Sequence, residues 1–134
     1  LWGVGQARCL SVRRAAEEML GVEAVAAAGL ETVWLKALVA DAEIALLRRI
    51  ASWPRTVEGA AAAREPHRIA FYLGDLAADF HALWNRGRDE TSLRFLQEND
   101  REGTLARVAL VAATAMTIRS GLAVMGVEPV EEMR

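Results

Sequence analysis

The sequence predicts an all-α protein, a bundle of about five to six helices, and three observations carry that expectation. Apolar residues recur at three- and four-residue steps along most of the chain, the period of a helix with one buried face. No alternating strand pattern and no hairpin dipeptide interrupts them. Gly21, Pro54, Pro66, Gly126 and Pro129 stand where one helical pattern gives way to the next. No internal repeat, low-complexity linker or composition shift divides the chain, so residues 1–134 are expected to form a single helical domain with one sizeable core.

The stretch from Glu65 to Asn85 organises the rest. Pro66 suits a first helical position, because it has no N–H to leave unsatisfied and its φ is already helical. Ile69, Tyr72, Leu73, Leu76, Phe80, Leu83 and Trp84 then form one apolar stripe, while Arg68, Asp75, Asp79 and Asn85 occupy other faces. Phe71, Tyr72, Phe80 and Trp84 place half of the chain's aromatic side chains here, so the other elements should pack around this helix.

Taken in order, Val4 to Leu20 predicts a first helix with Val4, Cys9, Val12, Ala15, Ala16 and Met19 spaced for burial, stopped by Gly21. Residues 22–40 are apolar and alanine-rich with a break at Gly29, which predicts a short or loose helix and then a longer one. From Asp41 the spacing of Ile44, Leu47, Ile50 and Ala51 is helical and ends at Trp53-Pro54, since a residue before proline is pushed out of the α region. Pro54 can open the next helix, which runs through the alanines before Arg64. Asn85 to Ser92 is polar and contains Gly87, so it reads as an exposed loop, after which Leu93, Phe95 and Leu96 return the chain to the core. Asp100 should cap a final helix bearing Leu105, Val108, Val111, Ala115, Ile118, Leu122 and Met125, which Gly126 ends. Leu76, Phe80, Leu105, Val108 and Leu122 are expected in one core.

Composition excludes several functions. Hydrophobic residues are 53% of the chain, inflated by alanine, and no run approaches the roughly 18 apolar residues of a membrane span, so a soluble protein without a membrane partner is expected. Cys9 is the sole cysteine, which excludes an internal disulfide framework or cysteine zinc site and suits a reducing cytoplasm. The chain begins at Leu1 with its first helical pattern already under way, so it is expected to be part of a longer protein. Net charge is −2, which gives no bulk support for nucleic-acid binding. Every cation except Lys36 and the histidines is arginine, whose planar fork suits phosphate and base edges. A compositional bias toward alanine and arginine explains that richness without any function.

Chemical motifs are absent. The sequence holds no Walker loop, G-x-G-x-x-G, H-E-x-x-H or G-x-S-x-G element, so no catalytic residue is assigned. His67 and His81 stand about 21 Å apart on one helix, too far to share a metal, and buried or capping roles suit them better. Glu43, Asp75 and Asp79 could be imagined as a carboxylate set, but lack the E-x-x-H pairing of helical metal sites, and no metal ligand is assigned. Cys9 reads as a small core residue.

The run Pro66 to Leu73, with Asp75-Leu76-Ala77 and Phe80 to Asn85, resembles a characteristic segment of bacterial arginyl-tRNA synthetases, in their C-terminal DALR-type helical anticodon-binding domain. Ala7-Arg8-Cys9 with Ser11-Val12-Arg13, Glu43 through Pro54, Gly121-Leu122, Gly126 to Pro129, and Glu131 to Arg134 agree in the same order. The resemblance covers nearly the whole chain and is weakest over residues 21–40. It implies a module that grips the anticodon stem and loop of tRNA-Arg in a cytoplasmic arginine–tRNA ligase, with no DNA partner and the full-length protein monomeric. Class I synthetase ATP signatures are missing, so the catalytic domain, ATP and Mg²⁺ would lie upstream, and these 134 residues should neither bind a cofactor nor aminoacylate.

By the same resemblance the RNA-binding residues would be Arg8, Trp84, Asn85, Met133 and Arg134. The family's Tyr-Ala-His-Ala-Arg element falls on Val4-Gly5-Gln6-Ala7-Arg8, where Ala7 and Arg8 match while the aromatic and histidine are replaced by Val4 and Gln6. Single-stranded loops are read by stacking bases on aromatic or arginine planes, a task for which an exposed Trp84 is chemically apt. Plain core packing is the competing role for Trp84, and a hydrophobic plug on the bundle that for Met133. The competing class is a helical protein-interaction or regulatory bundle without RNA binding, and a related anticodon domain of another synthetase is disfavoured by the Glu-Glu-Met-Arg terminus.

Overall fold

The computed structural model describes residues 2–26 and 35–127. They form six α-helices, α1 (Trp2–Leu20), α2 (Val22–Val25), α3 (Asp41–Ala51), α4 (Trp53–Ala63), α5 (His67–Asp89) and α6 (Arg101–Val124), with 3-10 turns at Leu35–Ala37 and Thr91–Leu93. Among the described residues there is no strand. The expected break at Gly29, and Pro129, Met133 and Arg134, lie outside the described residues.

Helix α5 is the hub, packing against α1, α3, α4 and α6 as well as the second 3-10 turn. Its stripe is buried as its spacing predicts: Ile69, Tyr72, Leu73, Leu76, Phe80 and Leu83 are each at most 6% exposed. Phe71, on the opposite side, is exposed. Polar contacts fix α3 on α5. Arg49 donates from Nε to Asp79 at 2.9 Å and reaches Asp75 at 3.8 Å, and the Tyr72 hydroxyl donates to the Arg49 carbonyl.

Helix α6 is long and apolar enough to cross a membrane by length and composition, contrary to the expectation that no run approached that size. Its apolar length is used inside the bundle instead, where Val108, Leu110, Val111, Ile118 and Leu122 are buried against α1, α3 and α5. The Asp100 carboxylate accepts the Gly103 N–H at 3.0 Å, the capping bond its position predicts. At the other end Gly126 takes φ +75°, Val127 N–H reaches the Leu122 carbonyl at 2.8 Å and Gly126 N–H that of Ala123 at 3.0 Å. That pair of bonds is a Schellman motif, and it satisfies carbonyls that the helix end would leave bare.

Two expectations about the core need correction. Leu105 is half-buried rather than central, and Val108 belongs to a separate small cluster with Ala16 and Val25. The main cluster holds Leu76, Phe80 and Leu122. Val4, expected inside, is 36% exposed, while Gln6 is 3% exposed. The boundary near Trp53-Pro54 also shifts slightly: Trp53 is already helical, with Pro54 in the first turn of α4.

Close approach of α5 and α6 depends on Gly121. A methyl group there would stand 2.6 Å from Leu73 Cδ2 and 2.9 Å from Cδ1, and Leu73 is fully buried. Overpacking of this kind typically costs about 1–3 kcal/mol. Gly121→Ala is therefore expected to lower stability by about that amount in urea denaturation, despite alanine's better helix propensity; a more stable variant would show that α5 and α6 can part freely at this crossing.

Candidate nucleic-acid interface

Helix α5 does not stop at Asn85. It continues through Asp89, so the first part of the segment expected as an exposed loop is instead the last turn of the helix, although all of Asn85 to Ser92 except Gly87 is exposed as expected. Gly87 is the reason this turn packs rather than frays. A Cβ at Gly87 would lie 3.2 Å from the Leu93 carbonyl and 3.4 Å from Arg94 Cα, so the absence of a side chain lets the returning strand of chain lie flat on α5. Arg94 Nε then donates to the Gly87 carbonyl at 3.2 Å, occupying an acceptor at the helix end.

The connection from Thr91 to Gln97 is held from α6. Thr104, fully buried, accepts the Gln97 N–H and donates to the Gln97 carbonyl, both at 2.9 Å. Arg107 Nη2 donates to the Ser92 carbonyl at 3.1 Å, while its Nε donates to Glu43 at 3.0 Å. Glu43 is itself fully buried and accepts the Ala40 N–H at the start of α3 at 3.3 Å, half of a capping box. Glu43 thus stands in a structural ion pair, away from the Arg49 bridge that holds Asp75 and Asp79. The imagined carboxylate set is divided between these two arrangements. Among the described residues no group of three or more histidine, cysteine or acidic side chains could hold a metal.

Against this frame Phe95 stacks on Phe80, with ring centroids 5.8 Å apart and planes 10° from parallel. Trp84 completes a triangle with them, at 6.3 Å from Phe80 and 6.0 Å from Phe95. Across from α5, Arg8 of α1 lays its guanidinium 5.0 Å from the centre of the Trp84 ring. Arg8 Nη1 also lies 2.8 Å from His81 Nδ1. A guanidinium can only donate, so Nδ1 is the acceptor in this contact. His81 and Trp84, one helical turn apart on α5, thus both engage Arg8 of α1, and both Arg8 and Trp84 are half-buried.

The expected site residues therefore divide. Arg8 and Trp84 come together; Asn85 is exposed one residue on, roughly 100° round the helix from Trp84. Met133 and Arg134 lie outside the described residues. Among the altered family positions Val4 is 36% exposed, whereas two face inward: Gly5 packs near Ala77, Ile118 and His81, and Gln6 is buried with no hydrogen-bond partner for Oε1 among the described residues. The substitution at Gln6 thus changes the interior of the bundle rather than its surface. Cys9 is a core residue, and burial pushes its thiol up to about 12, so the nucleophilic thiolate is absent near neutral pH.

Sequence reasoning missed Arg88 and Arg94. Both are exposed and line an open groove of about 780 Å³ that runs from Trp84 and Phe95 to Ser11 and Ala15 of α1. Among the described residues no acidic side chain lines it. Beyond Ala15 a neighbouring depression is of mixed charge, bordered by Glu18, Glu98 and Arg101. The spacing of Trp84 and Arg88, one helical turn apart, was the available signal.

A helical bundle presenting an arginine–tryptophan pair beside a basic groove is the class of domain that these observations define. The chain belongs to the DALR anticodon binding domain family, whose profile matches residues 5–133. It is 59% identical over 128 residues to an arginine–tRNA ligase of Gluconobacter oxydans, covering 96% of this chain and 21% of that protein. An arginine–tRNA ligase of Rhodospirillum rubrum is 55% identical over 94% of this chain and 21% of its own length, and one of Xanthobacter autotrophicus 53% identical over 96% and 22%. The chain thus spans about a fifth of the length of the curated relatives it matches. No solved structure matches it.

Proposed function

We propose that this chain is the anticodon stem-loop binding module of an arginine–tRNA ligase, the cytoplasmic enzyme that joins arginine to tRNA-Arg using ATP. Family membership over residues 5–133 carries this reading, and the Arg8–Trp84 pair supplies the chemistry for it. The ATP and Mg²⁺ of such a ligase act in a catalytic domain outside these residues, so the 134-residue chain by itself binds tRNA and does not aminoacylate. The ligase works as a monomer on RNA, with neither DNA nor a membrane as partner. The competing reading, a protein-interaction bundle, has no specific observation in its favour.

Arg8 and Trp84 have different tasks in this reading. Trp84 is covered by Arg8 on one side and braced by Phe80 and Phe95, so the guanidinium forms the outer layer of the platform that a loop base meets. Arginine planes serve for base stacking as aromatic ones do, and arginine also contacts phosphate. Arg8→Ala is expected to weaken binding to all tRNAs and flatten the salt dependence by about one unit of slope. Trp84→Ala should lose roughly 1–3 kcal/mol and reduce preference for tRNA-Arg while leaving non-specific binding largely intact. The measurement is binding of the chain to tRNA-Arg and to an unrelated tRNA at several salt concentrations, because phosphate contacts set the slope and base contacts the preference. A parent chain with equal affinity for both tRNAs would refute the assignment.

A further inference from the structure

We propose that the groove between α1 and the end of α5 seats one unstacked nucleotide of the bound loop, its base on the rim formed by Trp84 and Phe95 and its phosphodiester on Arg88 and Arg94. The inference rests on the anticodon-binding reading and assigns it a second contact region beside Arg8. Three features of the groove point to this occupant. Its volume, about 780 Å³, is enough to take one nucleotide. Its wall joins a half-buried indole to two exposed guanidinium groups with no carboxylate lining it among the described residues, which matches a base joined to a phosphodiester.

The cations are also available. Arg94 spends its Nε on the Gly87 carbonyl, which aims the side chain and leaves both terminal nitrogens for an anion. Arg88 has no hydrogen-bond or ion-pair partner among the described residues, whereas Arg86, two residues earlier on the same helix end, is paired with Glu90 at 3.5 Å. The wall carrying Arg94 and Phe95 is held rigidly by Thr104 and Arg107, so the seat exists before RNA arrives and less ordering is needed on binding.

The test uses the 134-residue chain with two RNAs, the anticodon stem-loop of tRNA-Arg and a blunt duplex of equal phosphate count, titrated at several salt concentrations. Arg88→Gln and Arg94→Gln are each expected to lower stem-loop affinity about three- to tenfold and reduce the salt slope by about 0.7, the increment for one single-strand phosphate contact. Duplex binding should change less than twofold, and Arg86→Gln should leave both RNAs unaffected. One loop nucleotide, when made abasic, should weaken binding and then be insensitive to Trp84→Ala. Since Arg94 also braces the wall, Arg88→Gln is the deciding variant. If the parent prefers the stem-loop and Arg88→Gln changes neither affinity nor slope, the nucleotide sits elsewhere while the anticodon-binding reading stands. Equal losses on stem-loop and duplex, or a matching loss in Arg86→Gln, would overturn the seat in favour of general electrostatic attraction. A parent that does not distinguish the two RNAs overturns both readings.

Discussion

Phe80→Ala is expected to destabilise the chain by about 3–5 kcal/mol, the usual range for emptying a buried phenylalanine site. Phe80 is fully buried at the centre of α5 and touches His81, Trp84 and Phe95. Its neighbours cannot collapse into the space easily. Phe95 is fixed on a segment bonded to Thr104, and Trp84 is held from outside by Arg8. Against a total stability of about 5–15 kcal/mol for a domain, this is a large fraction, and a fall in melting temperature on the order of 10 °C or more is expected. Phe80→Leu, which retains most of the volume, should recover over half of the loss. A Phe80→Ala variant that melts within a degree or two of the parent would mean that the aromatic triangle is not a packed core. Because Phe80 braces Trp84, the alanine variant should also bind tRNA less selectively at temperatures where it remains folded.

The parts of the fold legible in the sequence are those whose cause is local. The stripe of α5, the Asp100 cap and the Gly126 stop all follow from helical period and terminal chemistry, and each is found where these place it. What escaped has a tertiary cause. Gly87 reads as a helix breaker beside polar neighbours, yet its lack of a Cβ serves the approach of Leu93 and Arg94, which no local rule contains. The Arg8–His81 bond joins residues 73 positions apart, so periodicity leaves it invisible, and Arg8 and Trp84 were singled out through family resemblance instead. Arg88 and Arg94 become notable once the fold brings them to one groove. Val4 is left at the surface because the buried face of α1 runs Gly5–Cys9–Val12–Ala16, with Gly5 near Ala77 and Ile118, and Gln6 is taken in at its edge.

Glu43 and Arg107 carry the same lesson into energetics, and removal of one from the other is expected to have an effect as large as the loss of Phe80. They are 64 residues apart in sequence, and their side chains are 1% and 9% exposed. Glu43→Ala strips the carboxylate from a guanidinium that remains buried with Nη1 unpartnered, and breaking a buried pair in this way costs about 3–5 kcal/mol. The pair itself need not be stabilising, since desolvation of two charges offsets much of their attraction. Glu43→Leu combined with Arg107→Met should therefore regain most of the stability lost in Glu43→Ala. Two backbone groups lose a partner: the Ser92 carbonyl keeps the Gln97 side-chain donor at 2.9 Å, and the N–H of half-buried Ala40 can turn to water. A double-mutant cycle in urea checks this, with the coupling energy separating charge from packing. A loss under about 1 kcal/mol in Glu43→Ala, or a double variant no more stable than the single ones, would assign the effect to side-chain volume instead. The RNA readout should follow the same order, because Arg107 holds the turn that precedes Arg94 and Phe95. The double variant, folded but without that tether, is expected to retain the Arg8-dependent salt slope while losing part of the preference for tRNA-Arg.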